Sequence, residues 1–425
     1  MKRKWNFSRA SVLIYALLFI ILLGLYFTND FGLVDIHKTA IITAVGVDTE
    51  ENEVLVTAEI AVPQPSQSGE NIKYTQVQGS GITIADALNE INAKTGFLPR
   101  LQFCKLILMG ESCRERELFG LLACFYRKNF SELTAQVAAC QGKASDMLAL
   151  KSETTDMTSE AITKVLSIEI AKSANATPMN LKDIAVLNYS KSNACYLPYV
   201  EANKVGTSEN GGNGENIGGE GGNQGSQGGS QGGGGSGGGG ESGGQEQQSQ
   251  QSGGGEEPME FTARRTAIYS EGMFKGILDE QQAFALAALK NDIHLAVLPC
   301  DADDIHYTLG MKSVSGDVDL KVKDGVPELT LSFNAKAKIN GARKKLDPQQ
   351  IIFDDVVSEN VLKGAEEAIK TRFSDLVETS KQSNCDILGI KELLYKKENK
   401  YFDAFKDDIL SRMEVKFDVK IESAN

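Results

Sequence analysis

The chain has 425 residues, of which 41% are hydrophobic, and a formal net charge of −13. This is enough apolar material for more than one core, while an acidic body is repelled by nucleic acid and anionic headgroups, which sets both aside as partners. Three histidines and seven cysteines without CxxC spacing leave little material for histidine catalysis and give neither a zinc site nor a disulfide framework.

The first element is the uncharged apolar run Ala10 to Phe27, preceded by Lys2, Arg3, Lys4 and Arg9. At helical rise it reaches about 27 Å, close to the thickness of a bilayer's hydrocarbon core. The cations before it place the amino terminus in the cytoplasm and everything after it outside. A cleaved secretory signal is the alternative. The anchor is favoured because the run is long for a signal and Leu25-Tyr26-Phe27-Thr28 offers no small-x-small cleavage site. The reading is therefore a cytoplasmic tail over 1–9, a single transmembrane anchor over 10–28, and an extracytoplasmic bulk.

Strands are expected over Thr39–Asp48 and Glu53–Val62, joined by Thr49-Glu50-Glu51-Asn52. In the second, Val54, Val56, Ala58, Ile60 and Val62 share one face and Thr57 and Glu59 the other, with Leu55 and Ala61 implying that the second face is partly covered. Ile72–Gly79 reads as a third strand. Thr83 then caps a helix bearing Ile84, Ala87, Leu88 and Ile91, stopped by Gly96. Leu101–Met109 reads as a strand, Glu115–Tyr126 as a helix, Glu132–Cys140 as a strand, and Gly142-Lys143 as the turn into a helix over Ala144–Leu150. This order predicts a mixed sheet with helices packed on it, an α+β region over 35–205 of one domain or two.

Gly206–Gly255 holds more than half of the chain's 42 glycines, with Ser, Gln, Asn and Glu for most of the rest. With almost nothing apolar to bury, 206–258 is expected to be a disordered linker. It could be a spacer across a wall. A tolerated surface-loop insertion is favoured, because the cost of closing a loop grows only slowly with its length.

The carboxy-terminal α+β domain, 259–425, opens with a hairpin, Phe261–Ser270 and Gly272–Ile277, and a helix from its cap Asp279 to Leu289. Three or four strands follow between Ile293 and Ile339. The clearest is Glu328–Ile339, where Leu329, Leu331, Phe333, Ala335, Ala337 and Ile339 alternate with polar residues. A long amphipathic helix over Ile351–Thr379 carries Ile352, Val356, Val361, Ala365, Ala368, Phe373 and Leu376/Val377 on one stripe. Short helices over Asp386–Tyr395 and Tyr401–Ser411 lead to a last strand with Val415, Phe417, Val419 and Ile421 inward. The expected result is an antiparallel sheet with helices on one face.

Several segments, in order, resemble the Ger(x)C family, the C subunits of bacterial spore germinant receptors. They are Asp35 to Asp48, ending in Gly46-Val47-Asp48; Leu106-Ile107-Leu108-Met109-Gly110-Glu111; and Val137 to Leu148 around Gly142-Lys143-Ala144. Thr266-Ala267-Ile268-Tyr269 with Phe274 to Asp279, and Asp386-Ile387-Leu388-Gly389-Ile390, complete the set. The resemblance implies a GerAC-like, non-enzymatic subunit of a three-domain build, in complex with receptor A and B subunits in the spore inner membrane. A small-molecule germinant would then act on it only indirectly, and no cofactor is implied. Members are usually lipoproteins. Here Leu25 stands where the lipid-bearing cysteine would be, so the helix itself must anchor. A sporulation envelope sensor or scaffold without a receptor role is the alternative function.

Other chemistry reads weakly. Asp301, Asp303, Asp304 and His306 form an acidic turn that hard cations could use, although it fits no EF-hand and an ordinary solvated turn is favoured. Gly142-Lys143 lacks the first glycine and the hydroxyl residue of a phosphate-binding loop. Asp48 and Glu111 read as turn or cap residues rather than catalytic carboxylates. Arg264-Arg265 and Arg343-Lys344-Lys345 read as solvated. No catalytic, cofactor or metal residue is assigned, and an envelope hydrolase ranks last for want of a catalytic constellation.

Overall fold

The computed structural model describes residues 9–28, 39–66, 69–96, 98–127, 131–152, 154–155, 157–167, 176–204, 258–290, 293, 295–302, 304–344 and 357–424. The glycine-rich segment and Asp35–Lys38 lie outside them, as do His294, Asp303, Ile352 and Val356. Helix α1 (Arg9–Thr28) comes first, and its side chains from Val12 to Leu23 are exposed. Its fully described part, 12–24, is about 20 Å long. Among the described residues no helix is long and apolar enough to cross a membrane.

Strands β1 (Thr39–Glu50), β2 (Glu53–Ser66) and β3 (Gly69–Gly81) form an antiparallel meander. The β1–β2 turn is only Glu51-Asn52, with Glu51 at φ 47°. Helix α2 (Ile84–Thr95) follows, and its ends match the sequence signals: Thr83 and Asp86 form a capping box, and Gly96 terminates it at φ 71°. Ile84, Ala87, Leu88 and Ile91 are all buried, the stripe that the 3.6-residue period predicts. Next come β4 (Leu98–Arg100) and β5 (Leu106–Met109). The expected helix over Glu115–Tyr126 is instead a 3₁₀ turn over Glu111–Glu115 and the short α3 (Leu118–Leu122). Glu117 divides them, its carboxylate accepting N–H groups from Phe119 and Gly120 and so starting a new helix.

Strand β6 (Gln136–Cys140) starts four residues later than the expected Glu132, and helix α4 (Ala144–Ala149) follows as expected. The sequence reading assigns no element between Leu150 and the glycine-rich segment. There the chain forms α5 (Thr158–Val165), α6 (Leu181–Asn188) and β7 (Ala194–Lys204). Beyond the segment lie β8 (Met259–Ser270), β9 (Met273–Leu278) and α7 (Glu280–Leu289), the last opened by a capping box of Asp279 and Gln282.

The first sheet runs in the order β3-β2-β1-β5-β6-β7-β8-β9, with β4 also on β1. Strands β1, β5, β6 and β7 are mutually parallel, with antiparallel hairpins on both flanks. Both faces are covered. Val45, Val56, Ala58, Ile107 and Val137 join the main core, whereas Ala44, Leu106, Leu108, Ala138 and Cys140 pack against α4 and α5 in a second one. Burial on both faces explains why β5 is apolar at every position.

Strands β8 and β9 complete this first sheet, and Lys204 and Met259 are cross-strand partners. The two ends of the glycine-rich segment therefore sit side by side. The segment is an insertion in a β7–β8 hairpin and does not hold two bodies apart.

The second sheet is β10 (Leu295–Ala302), β11 (Ile305–Lys323), β12 (Val326–Lys344) and β13 (Glu414–Ser423). Leu329, Leu331, Phe333, Ala335 and Ala337 are buried as their alternation predicts. The expectation of an all-antiparallel sheet needs correction, because β13 pairs parallel to β12. A parallel neighbour requires a crossover. It is supplied by α8 (Glu359–Gln382), α9 (Ile390–Lys397) and two single turns, α10 (Phe402–Phe405) and α11 (Ile409–Arg412). Helix α8 buries Val361, Ala365, Phe373, Leu376 and Val377, together with Ile369 and Arg372. The Arg372 guanidinium lies 4.7 Å from the Phe284 ring centroid on α7, so the helices meet through a cation–π contact. One main core joins both sheets.

Candidate functional site

Parallel β1, β5 and β6 bring Asp48, Gly110-Glu111 and Gly142-Lys143 to one end of the first sheet. In open α/β sheets, the space beyond the carboxyl ends of parallel strands is where ligands bind. Here protein fills it. Asp48 is 3% exposed, and its Oδ1 and Oδ2 accept N–H groups from Ala144 at 2.9 Å and Ser145 at 3.0 Å. It thus caps α4, whose preceding residue Lys143 makes no side-chain cap. Asp48, near the end of β1, is therefore the cap of a helix about a hundred residues on, and Gly142, at φ 68°, makes the turn.

Glu111 accepts from the Tyr199 hydroxyl at 2.7 Å and from Arg114 at 2.9 Å. The Arg114 guanidinium lies 5.4 Å from the Tyr199 ring centroid and 4.9 Å from that of Phe274. Arg265, read as solvated in the sequence, instead pairs with Glu201 at 2.9 Å, and its guanidinium lies 5.5 Å from the Tyr199 ring centroid. The Tyr199 hydrogen bond, aided by Arg114, holds the Glu111 carboxyl below its ordinary range. Burial, and then the same bond, push Tyr199 up to about 12. The network ties the loop after β5 to β7, β8 and β9, on both sides of the glycine-rich segment. Its donors and acceptors face each other, which makes it a clamp.

In the acidic turn His306 Nδ1 and Asp301 Oδ1 are hydrogen-bonded at 2.7 Å across β10 and β11. Asp304 makes the turn at φ 59°. Among the described residues no group of three or more His, Cys, Asp or Glu side chains could hold a metal. All seven cysteines are free, and all but the partly exposed Cys124 are buried. Burial pushes the Cys104 and Cys113 thiols up to about 12, which suits small core side chains.

The Asp386-Ile387-Leu388-Gly389-Ile390 segment has a clear local cause. Asp386 is 3% exposed and accepts N–H groups from Ile390 and Lys391, each at 2.7 Å, capping α9. Gly389 precedes that helix at φ 81°, a conformation open to glycine. Ser192 also hydrogen-bonds the Asp386 carboxyl and accepts the N–H of Glu392 at 3.3 Å. Glu392 in turn accepts the N–H of Lys191 at 2.7 Å. The motif therefore fastens α9 to the turn before β7. Desolvation holds the Asp386 carboxyl above its ordinary range, against these hydrogen bonds.

One buried carboxylate has a different setting. Glu59 on β2 is 3% exposed, and its Oε1 accepts from the Thr43 hydroxyl at 2.8 Å and from the Ser159 hydroxyl. Thr43 is the extra residue of a β-bulge in β1, between the pairs Ile42–Ile60 and Ala44–Glu59. Glu59 lines a cleft of about 590 Å³ with Tyr74, Gln76, Leu148, Lys151 and Thr158. The sequence placed Glu59 on the second face of its strand. Nothing in the local pattern reveals that α4 and α5 close over it.

Two family profiles match, one described as the spore germination protein N-terminal domain over residues 33–202, the other as the spore germination B3/GerAC-like C-terminal region over 264–424. Together they account for both sheets, and the class is that of spore germination proteins. The chain belongs to the GerAC-like family, the C subunits of germinant receptors. The crystal structure of the GerBC protein is similar with a TM-score of 0.49 at 14% identity, over 92% of this chain and 100% of that one. No curated protein matches.

Proposed function

We propose that this protein is a non-enzymatic, membrane-anchored subunit of a spore germinant receptor, working through contacts with the A and B subunits. The observation that carries this reading is the succession of the two GerAC-like regions over 33–202 and 264–424. Internal pairing of the polar groups at the strand ends supports a contact role over catalysis. The apolar run Ala10 to Phe27, with Lys2, Arg3, Lys4 and Arg9 before it, supports a single-pass anchor with the bulk outside the cytoplasm. In this scheme a nutrient is sensed by partners, and the folded body docks on them in the spore inner membrane.

The test is deletion of the gene. Spores without it should fail to germinate with at least one nutrient while vegetative growth is normal. Normal germination with every nutrient, combined with slow growth, would refute the reading. Pull-down of full-length protein from spore membranes should recover a multi-pass subunit.

A further inference from the structure

We propose that the cleft at Glu59 binds a small organic solute through its ammonium group. A buried carboxylate is costly unless it is paired or hydrogen-bonded. Glu59 Oε1 takes the Thr43 and Ser159 hydroxyls, while among the described residues Oε2 takes no hydrogen bond and no cation pairs with Glu59. Both donors are hydroxyl groups, which bring no positive charge to the carboxylate. The wall of the cleft combines Glu59 with the apolar Leu148 and Ala149, the Tyr74 ring and polar groups that include Gln76, Lys151 and Thr158, so it offers an organic solute both apolar surface and hydrogen-bonding partners. Its volume, about 590 Å³, lies within the roughly 300–1,000 Å³ of ligand pockets and is far larger than a bare ion needs.

The bulge is a second, independent sign. Bulges re-aim side chains and are frequent beside functional sites. Here the inserted residue, Thr43, supplies one of the two hydroxyls that hold Glu59 in place. Gln76 is the cross-strand partner of Glu59 and stands on the same wall, with its amide donating to the Leu148 carbonyl at 2.5 Å. An ammonium group at Oε2 would complete the carboxylate's hydrogen bonding with a charge-assisted bond. The site lies on the first sheet and owes nothing to anchoring or to receptor partners.

The experiment adds methylammonium, ethanolamine or glycine to the full-length protein in detergent micelles and follows the thermal unfolding midpoint. The expected result is a saturable rise with at least one of them, absent with acetate, ethylene glycol and potassium ions. Glu59→Gln keeps an acceptor for both hydroxyls but turns an N–H toward the cleft, and should weaken the response about tenfold or more. Gln76→Arg places a guanidinium beside Glu59 from an exposed position and should abolish the response. No saturable rise with any ammonium probe overturns the proposal, as does an equal rise with potassium ions. An unchanged response in Glu59→Gln also overturns it. If that variant does not fold, an unchanged response in Gln76→Arg overturns it instead.

Discussion

A Cβ atom on Gly110 would lie 1.9 Å from Asp48 Oδ1. Glycine at the end of β5 is therefore what admits the carboxylate that caps α4. Gly110→Ala should destabilise the protein by about 1–3 kcal/mol through overpacking. Asp48→Ala should cost about as much by leaving two helix N–H groups without an acceptor. In the double variant, the two costs should fall short of additive by about 0.5 kcal/mol or more, because removing the carboxylate removes part of the clash. Urea unfolding of the four proteins measures this directly.

The Glu111 clamp and the Asp386 cap should respond to pH in opposite directions. The folded Glu111 carboxyl lies below its ordinary value of 4.5, so its contribution is present above that value and is lost as pH falls through the folded one. The stability difference between wild type and Glu111→Gln should shrink on acidification. The folded Asp386 carboxyl lies above 3.8. Its contribution is complete below 3.8 and is lost as pH rises through the folded value. The difference between wild type and Asp386→Asn should therefore shrink on going from acid toward neutrality. Unfolding curves at a series of pH values distinguish the two signs.

Replacing residues 205–258 by a two-residue Asn-Gly turn should leave the fold intact, since Lys204 and Met259 already face each other. Loop closure scales as about 1.5 RT ln n, so shortening the loop about tenfold or more should stabilise by about 2 kcal/mol or more. A rise in urea midpoint at unchanged slope would show it. A fall would mean that the segment makes contacts the protein needs.

Thiol reagents should discriminate among the cysteines. Cys124 is partly exposed and the other six are buried, so iodoacetamide under native conditions should modify Cys124 first. Burial holds every one of the seven thiols protonated at neutral pH, so even this reaction should be slow. Mass spectrometry of peptides over a time course reads the order.

Elements whose ends and faces are coded locally were legible. Helix α2 carries its own cap, stripe and stop, and β12 alternates cleanly along its buried stretch. Features that depend on distant partners were not. The carboxylate that caps α4 comes from Asp48, near the end of another strand. The direction of β13 is set by the crossover before it, and the same alternation would suit either direction. Glu117 could be read as the interior of a helix over Glu115–Tyr126, yet its side chain starts a shorter one. The solvation assigned to Arg265 overlooked the acceptor and the ring that β7 brings to it. Glu59 was placed on the correct strand face, but its burial depends on α4 and α5, about a hundred residues farther along the chain.

Because β8 is the outer neighbour of β7, a protein synthesised from its amino end must wait with an open strand edge while the whole glycine-rich stretch emerges. Exposed edges of this kind invite mispairing with other chains. A composition that is poor in apolar and β-forming residues gives that waiting edge no false partner close at hand. Once β8 has paired, a protease cutting between the two strands should leave two fragments that remain joined as one particle.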